Sequence, residues 1–494
     1  LRILSQKTQE TQETEKLKPT KTSDMSRIKR NVKPAQEEPA SQSAIRTGLF
    51  LRSLALLRLS MSVGSGHAGN KIVAWLNTER NAEEQLRGRL MTQARAIAYE
   101  LGLLKGSVMK VGQMLSCYGE RFLAPEVNVI LKQLQAQAPP LEWNTIRPII
   151  ERELGAEKFG RLEIDPVAIA SASIGQVHSA RIRSTQERIA VKVQYPGVDK
   201  AIDSDLKTLK SMLKLAQLIP QAPLLDGILF EVREMLIQEL DYGVEADFTE
   251  KFHDLLSDST TLEVPQVYRE FSSGRILTTA FAESHAIDSL EVLSLPPERR
   301  ERLARAALEL YFREIFEFRM VQTDPHFGNY RVRIANDGPC NDRLVLLDFG
   351  AVRCFDEAFV SEYRKLTTAA LEGHSEAICE AATRLGFLRA DDPNNLKSEF
   401  SNFCQLVVEP FNPTRAPQEI QHLFTCNGGY DWTNSDLPSR LSAQLKSVIR
   451  AHELRAPPRE MFFLDRKVSG LFVLLGHLGV RVEGRSLLDQ HLNT

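Results

Sequence analysis

The sequence predicts an α+β fold of two lobes, one mixed and one mostly helical, behind an N-terminal helical extension. Three observations predict it. Ile189–Gln194 reads as a strand with two-residue periodicity, and Leu344–Leu347 as a short apolar strand. Long stretches of helical pattern stand around them, the clearest from about Gly227 to Leu256. The 494 residues suffice for a full two-lobed domain plus an extension. The expected divisions are a disordered segment 1–44, the helical extension 45–150, the mixed lobe 151–280 and the helical lobe 281–494.

The helical lobe carries the most informative motif. Asp324-Pro325-His326-Phe327-Gly328-Asn329 sets an Asp and an Asn five positions apart in a loop. Nineteen residues later, Asp348-Phe349-Gly350 forms a Gly turn after the strand Leu344–Leu347. Each motif alone is ordinary turn vocabulary. Their order and spacing together match the D-x-x-x-x-N and D-F-G layout of kinase catalytic chemistry. Phosphoryl transfer from ATP needs metal-held phosphates and an oriented acceptor. One positioning acid and two oxygen ligands supply both, and Mg²⁺ as a hard cation prefers carboxylate and amide oxygens. The expected fold is therefore bilobal and protein-kinase-like.

Such a fold needs a strand Lys upstream to hold phosphates. Ile189, Val191 and Val193 share one sheet face, while Ala190, Lys192 and Gln194 share the face toward the nucleotide. A loop over the phosphates should lie about twenty residues earlier, and Ala170-Ser171-Ala172-Ser173 stands there. It is Ala/Ser-rich where kinases are Gly-rich, which adds methyl groups near the phosphates. The helical stretch Gly227–Leu256 carries Glu239, Asp241 and Glu245. Asp241 and Glu245 are i,i+4 and would share a face, and one acid on this helix should pair with Lys192. A solvated acidic face is the plainer alternative.

Lys110-Val111-Gly112-Gln113 lies in the apolar helical run Leu101–Leu115, with Lys110 and Gln113 projecting from one face. A charge in such a run asks for a partner acid, and Glu239 and Asp241 are the candidates. Together with Ile174-Gly175-Gln176-Val177-His178, Val191–Val198, Gln322–His326, Asp348–Ala351 and the C-terminal run Leu464–Gly470, these segments resemble the UbiB/ABC1/ADCK family of atypical kinase-like proteins, most closely its Coq8-type branch. The resemblance covers about residues 95–490.

It implies roles for named residues. Lys192 would touch the α/β-phosphates and pair with Glu245. Asn329 and Asp348 would hold Mg²⁺, and Asp324 would be the catalytic-loop acid. Ala170, Ser171, Ala172 and Ser173 would cover the nucleotide. Lys110, Gln113, Glu239 and Asp241 would form a set that occludes the protein-substrate site of ordinary kinases. The family implies ATP-dependent activity in ubiquinone biosynthesis, with an isoprenoid precursor and other ubiquinone enzymes as partners. A small-molecule or lipid kinase and a nucleotide-binding pseudokinase scaffold are the rival readings. Three positions depart from the family pattern: the phosphate loop reads Ala-Ser-Ala-Ser, Phe327 replaces a common Pro, and Ala280 stands where a hinge acid is common.

Composition excludes several classes. The chain is 43% hydrophobic and 26% charged with net charge −2, so no basic field argues for nucleic acid. Six scattered cysteines without C-x-x-C pairs argue against a zinc site or a disulfide framework. Residues 1–44 lack aromatics and carry too many acids for a mitochondrial presequence. Met25 is a plausible start, and a bacterial cytoplasmic protein is the expectation, with peripheral contact at the inner membrane left open and a mitochondrial protein as alternative. Gly48–Val63 is apolar but short, and Arg52 and Arg58 would each cost roughly 2.5–3.5 kcal/mol at a bilayer centre. Packing on the domain is preferred there over interfacial membrane contact. Gly64–Gly69 spells G-x-G-x-x-G without the flanking strands of a dinucleotide site and reads as a hinge. Val468–Val480 reads as a core helix, and the charged run Pro297–Arg302 as a solvated helix start.

Overall fold

The computed structural model describes residues 140–493, apart from 173, 216–221, 336–337, 339 and 452–458. Lys110, Gln113, Cys117, Ser173, the stretch 48–63 and the Gly64–Gly69 motif lie outside the described residues. Helix α1 (Trp143–Leu154) and a short α2 (Ala156–Gly160) lead into β1 (Leu162–Ser171), β2 (Gly175–Ile182) and β3 (Arg188–Gln194). Helices α3 (Val198–Leu215), α4 (Ala222–Glu239) and α5 (Tyr242–Leu255) follow, then β4 (Leu262–Glu263) and β5 (Ile276–Ala280). Strands β1, β2, β3 and β5 form one antiparallel sheet in that order. Its core face carries Ile189, Val191 and Val193, and α1 covers it with Ile146, Ile149, Ile150 and Leu154. Those helix positions form a single stripe at helical spacing. Helix α1 therefore runs across residue 150 as part of this lobe's core.

The second lobe begins with β6 (His285–Ala286), α6 (Leu290–Leu293) and α7 (Pro297–Phe312), which ends in a π-helical segment, Arg313–Glu317. The short strands β7 (Met320–Gln322), β8 (Tyr330–Arg333), β9 (Arg343–Leu346) and β10 (Val352–Cys354) follow. Helices α8 (Glu357–Glu372), α9 (Ser375–Arg384) and α10 (Asn394–Val407) come next. The chain closes with β11 (Tyr430–Asp431), α11 (Leu437–Ala451), α12 (Arg459–Leu478), β12 (Arg481–Val482) and α13 (Arg485–Leu492). The second sheet has the order β4-β9-β8-β6, with β4 parallel to β9. Helix α5 joins the two cores: Tyr242 and Ala246 pack with the first sheet, and Phe252 packs in the helical lobe. Val468, Leu471, Phe472, Leu474, Leu475 and Leu478 bury the apolar face of α12.

Two expectations need correction. The stretch Gly227–Leu256 is not one helix. It breaks at Leu240-Asp241, where Asp241 takes an extended backbone and its carboxylate accepts from the N–H groups of Gly243 and Val244. Asp241 is thus the N-cap of α5 and shares no helix face with Glu245. The Leu240 carbonyl freed by the break accepts from Gln194 Nε2 at 2.9 Å. The run Pro297–Arg302 starts α7, yet its arginines are not simply solvated. Arg299 forks the buried Asp342 carboxylate, and Arg300 and Arg302 donate to the carbonyls of Leu478 and Cys340. Leu478 ends α12, so Arg300 satisfies a carbonyl that has no partner within the helix.

Candidate active site

Strand alternation turns Lys192 away from the apolar core, opposite Val177 of β2. Its ammonium donates to both carboxylate oxygens of Glu245, at 2.7 and 2.9 Å, and lies 3.4 Å from Asp348 Oδ2. The Tyr242 ring stands 4.9 Å from the same nitrogen. Burial lifts the Glu245 carboxyl to about 7 against the pull of Lys192. Burial also pulls Lys192 down, but Asp348 and Glu245 outweigh it and hold the ammonium well above its usual value. The cation is therefore permanent, and Glu245 is the member that titrates.

Asp348 is held by its own turn, since Gly350 N–H donates to Oδ1 at 3.0 Å. The next residue, Phe349, is buried and packs its ring 4.6 Å from Phe252 of α5. The helix that carries Glu245 and the turn that carries Asp348 thus share a packed contact. Across the cleft, Asp324 Oδ1 accepts from Arg466 Nη2 at 2.6 Å. Asn329 Nδ2 donates to the Asp324 carbonyl at 3.1 Å and to its Oδ2 at 3.3 Å.

Gln322 joins the two halves. Its Oε1 accepts from Asp324 N–H at 2.7 Å, and its Nε2 donates to the Asp348 carbonyl at 3.0 Å. Asn329 and Asp348 line one small cavity together with Gln322, Tyr330 and Leu346. Asn329 and Asp348 offer an amide and a carboxylate oxygen, and Mg²⁺ takes one or two protein oxygens of this kind and completes its shell with water and phosphate. The donor set therefore fits the ion.

The remaining predicted residues are placed as follows. Ala170 and Ser171 end β1, and Ala172 closes the turn by donating its N–H to the Gly175 carbonyl at 2.8 Å. Ser171 Oγ is 3.1 Å from the Tyr195 hydroxyl. Glu239 ends α4 nearly buried, and Asp241 caps α5. Any contact of these two with Lys110 or Gln113 falls outside the described residues.

Residues 133–382 match the ABC1 atypical kinase-like domain. The chain belongs to the ABC1 atypical kinase-like family. Among its relatives is the mitochondrial atypical kinase COQ8 of Saccharomyces cerevisiae, 31% identical over 80% of this chain and 75% of its own length. The mitochondrial atypical kinase COQ8B of Rattus norvegicus is 29% identical over 94% of this chain and 82% of its own. Among solved structures, Rv3197 of Mycobacterium tuberculosis, determined as an erythromycin complex, superposes with a TM-score of 0.52. It is 25% identical and covers 83% of this chain and 98% of its own. The kinase-like α+β fold of this ABC1 protein and its similarity to COQ8 kinases thus rest on most of the chain. Among the described residues no helix is long and apolar enough to cross a membrane, and Cys340, Cys354, Cys379, Cys404 and Cys426 are all free thiols.

Sequence reasoning on this ABC1 chain gave no role to Gln322, Arg466, Lys467 or Glu314. Lys467 on α12 meets Glu314 at 2.6 Å, both almost wholly buried. Lys467 also donates to the Tyr330 hydroxyl at 3.4 Å, and Gln322 N–H donates to Glu314 Oε1 at 3.4 Å. Glu314 lies in the π-helical turn, a local irregularity that often accompanies function. Gly470 completes the seam, because a Cβ there would overlap the Pro325 ring. One signal was available: Lys467 is followed by an apolar helical run, and a charge in such a run asks for an acid, as Lys110 does.

Proposed function

We propose that this protein is an ATP-binding, Mg²⁺-dependent atypical kinase or ATPase that supports ubiquinone biosynthesis. The observation that carries this reading is the Lys192–Glu245 pair with Asp348 at 3.4 Å, linked through Gln322 to Asp324 and Asn329. Lys192 would bind the α/β-phosphates, with Glu245 fixing its direction. Asn329 and Asp348 would offer oxygens to Mg²⁺, and Ala170–Ser173 would cover the phosphates. An ion held by those two residues would supply positive charge against the negative charge that develops on phosphoryl transfer. Arg466 holds the Asp324 carboxylate through one oxygen, and Asp324 would accept a proton from a hydroxyl or water nucleophile.

The names of the COQ8 relatives support the ubiquinone assignment, with an isoprenoid precursor and ubiquinone enzymes as partners. The same names favour the mitochondrial compartment over the bacterial cytoplasm read from the first 44 residues. Fractionation of cells expressing the chain decides between them.

Thermal unfolding with ATP or ADP, with and without Mg²⁺, is the first test. Nucleotide at 100 times its dissociation constant should add about 2.7 kcal/mol of stability. The Mg²⁺-dependent part of that shift should vanish in Asp348→Asn. No shift with any nucleotide in a folded protein would remove the catalytic reading and leave the scaffold. Free phosphate as the sole product of turnover supports an ATPase, and a phosphorylated lipid or small molecule supports the kinase.

A further inference from the structure

Two polar side chains occupy the apolar face of the first sheet. Gln176 and His178 alternate along β2 with Gly175 and Val177, so they face the core beneath α1 while Val177 lies opposite Lys192. Their cross-strand partners are Val193 and Val191. Both polar residues are fully buried. A buried amide is costly unless its atoms are bonded, and here they are. Gln176 Oε1 accepts from Leu141 N–H at 2.7 Å, and its Nε2 donates to the Leu141 carbonyl at 3.2 Å and to His178 Nε2 at 2.8 Å.

His178 must then carry its proton on Nδ1, which donates to the Asp165 carbonyl at 2.8 Å. Strand β1 shifts register between Ile164 and Ala168, and Asp165 lies in that irregular stretch. Trp143 of α1 packs its ring 5.3 Å from His178.

The Gln176 amide therefore binds Leu141 as a neighbouring strand would, through both backbone groups. Leu141 stands two residues before α1, and the Lys110–Gln113 motif precedes it in the sequence. Gly175, adjacent to Gln176, closes the phosphate loop through Ala172. A Cβ at Gly175 would overlap the Val193 carbonyl and press on the Tyr242 hydroxyl, so the base of the loop has no room to slide. Apolar residues would fill this space without a desolvation cost. What the network provides is a fixed orientation between loop and segment.

We propose that Gln176 is a positioning residue that couples the phosphate loop to the segment entering α1. Nucleotide at the loop orders Leu141, and by linkage a shift of that segment changes nucleotide affinity. The inference rests on the ATP site proposed above. It adds a regulatory input: whatever moves the chain before α1 tunes that site.

The test is hydrogen exchange over Leu141–Trp143 in the full chain, with and without Mg²⁺ and a non-hydrolysable ATP analogue, in wild type and Gln176→Met. Thermal shifts measured in parallel report whether the analogue binds. In wild type the analogue should slow exchange at Leu141 by about tenfold, in the usual range of allosteric coupling. In Gln176→Met it should still bind, more weakly, and leave Leu141 exchange unchanged. KM for ATP should rise while kcat holds.

Binding in wild type with no change at Leu141 would overturn the coupling and leave the ATP site standing, as would full protection in Gln176→Met. No binding in wild type would instead remove the ATP site, and the coupling with it. If Gln176→Met does not fold, Gln176→Asn keeps the amide but retracts it from Leu141 and carries the same expectations.

Discussion

Lys192–Glu245 and Lys467–Glu314 are the same chemical pair in two settings. The first opens on the cleft: Lys192 is 16% exposed, and the third charge beside it, Asp348, is 34% exposed. The second is sealed, with side chains 3% and 1% exposed, and its extra contacts are the Tyr330 hydroxyl and the Gln322 N–H. A cation shared between two carboxylates with a path to solvent can exchange one partner for a phosphate. A sealed pair with neutral neighbours has nothing to exchange with. The first geometry suits a ligand, and the second holds α12 against the loops that carry Asp324 and Asp348.

The contrast breaks most visibly on removal of each lysine. Lys467→Met leaves the Glu314 carboxylate without a cation in a dry interior, and loss of one partner of a buried pair costs about 3–5 kcal/mol. Lys467→Met with Glu314→Leu should recover most of that loss. Lys192→Met should destabilise less, because its site opens to solvent where the Lys467 pair is sealed, but should lower ATP turnover by on the order of a thousandfold. Denaturant unfolding beside ATP turnover checks both. Equal destabilisation by the two substitutions would erase the distinction.

Gln322 sharpens it. Its side chain spans from Asp324 N–H to the Asp348 carbonyl, and its own N–H rests on Glu314. The sealed pair therefore positions the open site through one amide. Gln322→Leu keeps the volume and loses both side-chain bonds. A misplacement near 1 Å can cost about a hundredfold in rate, so kcat should fall by that order while KM for ATP, set by Lys192, stays put. A matching rise in KM would show that Gln322 serves only the fold.

Part of this was legible in the sequence. Two-residue alternation marked β3 and its apolar face, and motif spacing brought Asp324, Asn329 and Asp348 to neighbouring turns. What escaped was set by a competing local cap or by tertiary contact. The α4–α5 break follows from Asp241 choosing cap over helix, which helical periodicity does not register. The roles of Gln322 and Arg466 depend on partners 26 and 142 residues away, and no local pattern encodes such distances. The arginines of Pro297–Arg302 look like any solvated run until α12 presents Leu478 to them.

The smallest expected effect is the pH response of Glu245. Its carboxyl is lifted from 4.5 to about 7 in the folded protein. The folded state thus holds this proton more tightly than the unfolded chain, so the group's contribution to stability is fully present below 4.5 and is lost as pH rises to about 7. Lys192 adds no slope there, since its raised value keeps it charged in both states. Glu314 is also raised, so it slopes the same way, but it is common to wild type and variant and cancels in their difference. The unfolding midpoint of ligand-free wild type should therefore fall more steeply across that window than that of Glu245→Gln. Parallel profiles would mean that Lys192 keeps Glu245 ionised throughout. The open pair would then carry no titratable slack, and its readiness to exchange a carboxylate for a phosphate would have to come from Asp348 alone.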